Sequence, residues 1–282
     1  MDDRSRRRPA SRTLEALGLD VAPREQPLVY PGAWPADSGL LDGDHLLPLD
    51  DFACGDRTPV LAAGSNACPA QLRHKMAERG LTSPVPMVRA RVTGLDVGVS
   101  AHVSRMGYVP ASPISAVRAV RELFVLWLDA AQLAVVDAGE GVPLPQGNYH
   151  RVWLPAPDVR VEPARGRPLP GVFAYVSRHG VLHDGGGTPR VLPRQRPLLT
   201  ELLAGSARLR ELFGATPEDF CARARADAAR CARGTRLLAE ERWVTDSGLE
   251  RYVRADEAGG RAGRPDGAGR ARPGAGAPPT GR

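Results

Sequence analysis

The feature that most constrains the fold is a short apolar segment that runs directly into a tight polar turn. Residues 58–63, Thr-Pro-Val-Leu-Ala-Ala, have the composition of a buried β-strand. Gly64, Ser65 and Asn66 follow, and Pro69 stands where the first turn of a helix accepts proline. This arrangement fits a ligand that approaches the backbone closely, and it equally fits an ordinary helix start.

The rest of the pattern predicts a sheet whose strands are joined without long helices. Residues 85–104 alternate apolar and polar positions, with a bend expected at Gly94. Further strand-like runs occupy 121–129, 148–154 and 171–178. Between them we predict one short helix, with Asp129 as its N-cap. This order favours an α+β fold with a curled, mostly antiparallel or mixed sheet.

Composition divides the chain into four regions. We predict a disordered N-terminus and an irregular arm over 1–57, a sheet domain over 58–193, a helical cover over 194–254 and a disordered tail over 255–282. Within the cover, the pattern after Thr216 predicts a single long helix. The cover is expected to pack on the same domain as an additional layer.

The net charge of +6 belongs to the two ends of the chain. Residues 1–12 carry +3 and residues 258–282 carry +4, which leaves −1 for the residues between them. Nucleic-acid binding is therefore not expected apart from weak contacts of the tails. No run of about 18 apolar residues and no signal-peptide pattern is present, so we expect no membrane partner and a cytoplasmic location.

The cysteine and histidine spacings do not indicate a metal site. None of the four cysteines forms a Cys-x-x-Cys pair, and His179 and His183 have no third ligand nearby in sequence. Cys68 stands at a helix start, where it is either a nucleophile or, as we favour, a small packed side chain. Ser100, His102 and Ser104 alternate along a predicted strand. Their side chains either line a cavity or face water.

Two motifs resemble those of the gamma-glutamylcyclotransferase family. One is the Gly64-Ser65-Asn66 turn after a strand, and the other is Val-Asp-Ala-Gly-Glu-Gly at 136–141, followed by Tyr149. In that family a strand leads into a Tyr-Gly-Ser-Asn turn, and a Leu-Asp-x-x-Glu-Gly segment supplies the catalytic glutamate ahead of a tyrosine-bearing strand. The resemblance covers roughly residues 58–183. It implies a small mixed β-barrel, closed or nearly closed, flanked by helices, here with a C-terminal helical extension.

The resemblance also implies an activity and the residues that carry it. The activity is release of 5-oxoproline and a free amine from a gamma-glutamyl amine or peptide, by attack of the substrate's own alpha-amine on its gamma-carbonyl. Glu140 would be the acid/base, and Asp137 would have a supporting role. Five residues would bind the substrate: Ala63, Gly64, Ser65, Asn66 and Tyr149. No metal or organic cofactor is called for, and the oligomeric state stays open.

One residue departs from the family pattern. Ala63 replaces the tyrosine that usually opens the turn, which removes a ring and a hydroxyl from the expected cavity. Either the pocket is widened for a larger substrate or the activity is lost, which makes a non-catalytic small-molecule or protein-binding member of the same fold the alternative. The vacated space would then be empty, shaped for a bulky ligand, or filled by another side chain such as one from the N-terminal arm.

Overall fold

The computed structural model describes residues 12–49 and 55–253. The predicted disordered tail and the first eleven residues lie outside the described residues. Ten strands are numbered in chain order: β1 (Gly39–Asp42), β2 (His45–Pro48), β3 (Thr58–Ala62), β4 (Val85–Val99), β5 (Ala111–Leu128), β6 (Tyr149–Pro155), β7 (Arg160–Pro163), β8 (Gly171–Ser177), β9 (Val181–Leu182) and β10 (Val244–Thr245). The helices are α1 (Pro69–Ala77), α2 (Ala130–Glu140), α3 (Gln195–Gly205), α4 (Ala207–Phe213), α5 (Pro217–Ala226) and α6 (Ala228–Glu240), with short 3-10 turns at Pro27–Val29 and Ser65–Ala67.

The main sheet is mixed and mostly antiparallel, which confirms the α+β class. Its strand order is β2-β1-β4-β5-β3-β8-β6, and β7 pairs with β4. The β3–β8 pair is parallel, and the other pairs are antiparallel. Because β6 pairs only with β8 and β7 only with β4, no pairing among the described strands joins the two ends of the path. The described strands therefore do not form a closed barrel, which is one of the two forms, closed or nearly closed, that the resemblance implies.

The two longest strands, β4 and β5, lie next to each other in the middle of the sheet. β4 and β5 pair from Met87 to Val99, with a register shift between Thr93 and Gly94. Gly94 has φ +93, and a Cβ at this position would lie 2.4 Å from the carbonyl oxygen of Asp158. The bend predicted at Gly94 is confirmed, and it requires glycine because both the backbone angle and the space exclude a side chain.

Part of the predicted irregular arm is regular structure. β1 and β2 form a hairpin, and β1 pairs with β4 through Gly39, Leu40 and Leu41. The hairpin therefore extends the main sheet. Its buried leucines are Leu41 and Leu46, which pack in the same cluster as the first two helices.

The sheet is apolar on both faces, and alternate residues of one strand serve different clusters. Leu61 of β3 packs with Val125 in one cluster, whereas Val60 packs with Leu126 in the other. The second cluster includes residues of both α1 and α2, namely Leu72, Met76 and Val136. The two helices therefore cover the same face, which brings the turn before α1 near the end of α2.

The helical cover packs at one end of the sheet. Its core contains residues of α3 to α6 together with Val99, Val103 and Val109. The predicted single helix after Thr216 is wrong, because α5 ends at Ala226 and α6 begins at Ala228. The side chain of Asp227 accepts a hydrogen bond from the N–H of Arg230, which caps α6 and starts a new helix.

Candidate active site

A cavity of about 850 Å³ lies where the β3–α1 turn, the end of α2 and the helical cover meet. Its wall includes the segment around Tyr30, the start of β5 and the first turns of α6. All six residues that the resemblance implies for the site line this cavity: Ala63, Gly64, Ser65, Asn66, Glu140 and Tyr149.

The carboxylate of Glu140 is bound to the β3–α1 turn and to α1. Its Oε1 accepts a hydrogen bond from Asn66 Nδ2 at 3.1 Å and one from Lys75 Nζ at 2.7 Å. Lys75 Nζ also donates to Asn66 Oδ1 at 2.7 Å, so the three side chains form a closed triangle. The Glu140 and Lys75 side chains are only 15% and 13% exposed, which makes their ion pair stronger than one in open solvent.

The second carboxylate oxygen of Glu140 makes no hydrogen bond within the described part of the chain, because both bonds fall on Oε1. In that part of the chain the single buried side-chain nitrogen or oxygen without a partner is Trp34 Nε1, so Oε2 of Glu140 is accessible. Glu140 itself lines the cavity. The triangle therefore holds the carboxylate through Oε1 alone.

Local signals in the sequence position Glu140. Asp129 and Gln132 form a capping box at the start of α2, as the N-cap prediction requires. Gly141, with φ 75, ends the helix in the left-handed conformation, so Glu140 is its last residue. A second glycine tightens the following loop, because a Cβ on Gly147 would lie 1.7 Å from the carbonyl oxygen of Gly141.

Lys75 is a site residue that sequence reasoning missed. It lies in the last turn of α1, where a cation on a helix surface is ordinarily solvated. The available signal was its rarity, because it is the one lysine in the 282-residue sequence. Its side chain also leaves little space at α2, since a Cβ on Gly139 would lie 3.3 Å from Lys75 Nζ.

The space beside Ala63 holds Tyr30, which comes from the N-terminal arm. Tyr30 is 4% exposed and packs in the same apolar cluster as Ala63. Its ring lies 4.3 Å from the ring of Tyr108, and its hydroxyl accepts a hydrogen bond from the N–H of Ala111 at 2.7 Å. Of the three states considered for this space, the position of Tyr30 favours filling by a side chain of the arm.

Tyr149 lines the cavity, but its hydroxyl is engaged within the protein. Its Oη donates to the carbonyl oxygen of Ala111 at 2.8 Å. Burial, followed by the nearby Tyr30 and Glu140, raises the pKa of Tyr149 well above its ordinary value. The ring of Tyr149 therefore faces a ligand as a neutral surface.

Asp137 lies one helical turn before the end of α2 and binds groups on the sheet. It accepts a hydrogen bond from Tyr175 Oη at 2.8 Å and forms an ion pair with Arg151. Burial raises the pKa of Asp137, and the two partners oppose that effect. These contacts fix α2 to β6 and β8, consistent with a supporting role for this residue.

Two of the three alternating polar residues, Ser100 and His102, form a buried network instead of facing water. His102 Nδ1 lies 2.6 Å from Ser100 Oγ, which donates to Ser177 Oγ at 2.7 Å. His102 and Ser104 line the cavity, and His102 is 2% exposed. Burial, with a smaller contribution from His179, lowers the pKa of His102 well below its ordinary value. His102 is therefore a neutral part of the wall.

Cys68 is fully buried and packs beside Ala22 and Ala70. Its Sγ lies 3.6 Å from the carbonyl oxygen of Val21, and burial raises the pKa of the thiol. A thiol in this environment is a poor nucleophile. Among the described residues no group of three His, Cys, Asp or Glu side chains is arranged to hold a metal ion.

Comparison with known proteins gives little direct guidance. No protein-family model matches the chain, and no curated protein matches it. A solved structure, YkqA from Bacillus subtilis, matches with 16% sequence identity and a TM-score of 0.34, over 68% of this chain and 56% of that one. The chain thus spans little more than half the length of that structure, and a similarity this low supports no argument.

No helix in residues 12–49 or 55–253 has the length and apolar character to cross a bilayer.

Proposed function

We propose that this protein is a gamma-glutamylcyclotransferase-like enzyme that releases 5-oxoproline and a free amine from a gamma-glutamyl amine or peptide. The observation that carries the proposal is the hydrogen bond between Asn66 and Glu140, 74 residues apart in the sequence. The two motifs that resemble the family meet at this bond in the wall of one cavity. If each motif were only a common turn or helix end, the two motifs would not be expected to contact each other.

The reaction needs little from the protein beyond positioning and proton transfer. The alpha-amine of a gamma-glutamyl group reaches its own gamma-carbonyl carbon, so a folded substrate closes a five-membered ring without a second reactant. A carbon–nitrogen bond forms to the alpha-nitrogen, and the bond to the departing nitrogen breaks. Glu140 Oε2 would accept a proton from the attacking nitrogen and return a proton to the departing one.

The turn at 64–66 would hold the gamma-glutamyl group beside this carboxylate. Gly64 has no side chain and lines the cavity, and Asn66 holds Glu140 by its side-chain amide. Lys75 would fix the orientation of the carboxylate and, with its positive charge, attract the negatively charged end of the substrate. The cavity of about 850 Å³ is large enough for a gamma-glutamyl group with an attached amine.

The experiment is an assay of 5-oxoproline release from a panel of gamma-glutamyl substrates. The panel contains gamma-glutamyl derivatives of neutral, acidic and basic amines and of short peptides, with alpha-glutamyl isomers as controls. We expect release from at least one gamma-glutamyl compound and none from its alpha isomer, since only the former closes a five-membered ring onto the alpha-amine. Failure of the whole panel would reject the proposal.

The ion pair with Lys75 favours a second candidate function, a non-catalytic binding protein of the same fold. Glu140 Oε1 is already paired with the Lys75 ammonium at 2.7 Å, as expected of a carboxylate with a structural role. In that case the cavity would bind a small molecule without turning it over. Calorimetry would then detect binding of a gamma-glutamyl compound that is recovered unchanged after prolonged incubation.

A further inference from the structure

We propose that the hydroxyl of Tyr30, delivered by the N-terminal arm, is the hydrogen-bond donor that stabilises the oxyanion formed at the substrate's gamma-carbonyl. This inference rests on the proposed function and adds to it a catalytic residue from outside both motifs. It also assigns the arm a part in the site.

Tyr30 Oη lies directly against the turn that is proposed to hold the substrate. A Cβ built on Gly64 would be 2.7 Å from Tyr30 Oη, and the next nearest atom would be the Cβ of Ala111, at 3.1 Å. Both Tyr30 and Gly64 line the cavity. From this position the hydroxyl can donate to a substrate oxygen atom that is bound beside Gly64.

The hydrogen bond of Tyr30 leaves its own proton available. The backbone N–H of Ala111 donates to Oη at 2.7 Å. This bond uses one acceptor position of the oxygen and does not involve the hydroxyl proton. Among the described residues no acceptor binds the hydroxyl proton, so that proton is free to point into the cavity.

The same contact makes the phenol a stronger donor. An N–H group that donates to a hydroxyl oxygen polarises its O–H bond and strengthens the hydrogen bond that the hydroxyl gives. Burial raises the pKa of Tyr30, so it stays protonated and can donate at neutral pH.

The arm is held firmly enough to serve as part of a site. Arg24 forms an ion pair with Glu78 at 2.5 Å, and its backbone N–H donates to Gln71 Oε1 at 3.0 Å. Arg225 of α5 donates to the carbonyl oxygen of Glu25 at 3.1 Å. The arm is therefore fixed between α1 and the helical cover, and rigid placement is what an oxyanion donor needs.

The test is a comparison of Tyr30→Phe with the wild-type protein in the 5-oxoproline assay. This change keeps the ring and removes the hydroxyl. We expect kcat to fall about 100-fold, with KM changed less than about threefold, because the donor acts mainly on the charge that develops in the transition state. Tyr252→Phe is the matched control, since its hydroxyl binds Asp158 at the surface, and it should keep wild-type kinetics.

Other outcomes separate the alternatives. Turnover by the wild-type protein with kcat preserved in Tyr30→Phe, or with only KM raised, would overturn the inference and leave the proposed function standing. No turnover by the wild-type protein would overturn both. If Tyr30→Phe does not fold, 3-fluorotyrosine introduced at position 30 decides instead: the more acidic phenol should raise kcat, and an unchanged kcat would overturn the inference.

Discussion

Asn66 donates a hydrogen bond from Nδ2 to Glu140 Oε1 at 3.1 Å, which joins the turn before α1 to the last residue of α2. Both helices cover the same face of the sheet, so the bond follows from their packing in one apolar cluster. Lys75 completes the contact by binding both side chains at 2.7 Å. The fold therefore presents a fixed carboxylate at the edge of a cavity.

Replacing Lys75 by methionine should destabilise the protein at neutral pH. The change leaves the charge of Glu140 without its partner in a site where both side chains are largely buried. We expect the free energy of unfolding to fall by about 1–3 kcal/mol, as measured by urea denaturation at pH 7.

Lys75→Arg is the control for this prediction, because it keeps the positive charge. It should lose less stability than Lys75→Met at pH 7. In a double-mutant cycle, adding Glu140→Gln to Lys75→Met should recover part of the loss. Absence of coupling between the two positions would show that the ion pair is not what stabilises this site.

Gly147→Ala should disrupt the loop that follows Glu140. The added Cβ would lie 1.7 Å from the carbonyl oxygen of Gly141, so the backbone must move. We expect the free energy of unfolding to fall by about 1–3 kcal/mol, from overpacking against a fixed backbone. The control is Gly186→Ala, whose Cβ would come no closer than 3.4 Å to a neighbour, and equal stability of the two variants would contradict the prediction.

Tyr149→Phe should destabilise the wall of the cavity. The variant removes the hydroxyl that donates to the carbonyl oxygen of Ala111 and leaves that buried acceptor unpaired. An unpaired buried acceptor costs about 1–3 kcal/mol, which chemical denaturation can measure. Unchanged stability would mean that water replaces the hydroxyl and that Tyr149 does not fix the start of β5.

His102 should make the protein less stable as the pH falls below about 6.5, the ordinary histidine pKa. Because burial holds the pKa of His102 well below that value, the unfolded chain binds a proton that the folded chain does not. The free energy of unfolding should therefore fall with decreasing pH, by at most about 1.4 kcal/mol per pH unit from this residue. Urea denaturation between pH 7.5 and 5.5 would measure the slope.

His102→Gln removes this titration and should reduce the slope, whatever it does to the stability at pH 7.5. His45→Gln, at an exposed position, is the control and should leave the slope unchanged. An identical slope in His102→Gln and the wild-type protein would mean that His102 does not titrate differently in the folded and unfolded chains.

The local elements around the site could be predicted from the sequence. The apolar run before Gly64 forms β3, Pro69 begins α1, and Asp129 caps α2, because each depends on neighbours within a few residues. Thr216 likewise begins a helix as predicted. The break between α5 and α6 at Asp227 could not be predicted, because the sequence pattern on both sides of this residue fits one continuous helix.

The residues that complete the site could not be predicted, since they reach it through tertiary packing. Tyr30 lies in an arm without helical or strand periodicity, and its position depends on contacts with α1 and the helical cover. Lys75 has the sequence context of a solvated helix charge, and it is buried only because α1 and α2 cover the same face. The absence of pairing between the two end strands of the sheet, β2 and β6, also depends on long-range contacts.

The most direct test of the central claim is the rate of 5-oxoproline release by Glu140→Gln beside the wild-type protein and Glu162→Gln. Glu162 pairs with Arg160 on β7, outside the cavity wall, so its substitution makes the same chemical change away from the site. The account predicts that Glu140→Gln lowers kcat at least about 100-fold and that Glu162→Gln does not change it. Undiminished release by Glu140→Gln would contradict the account.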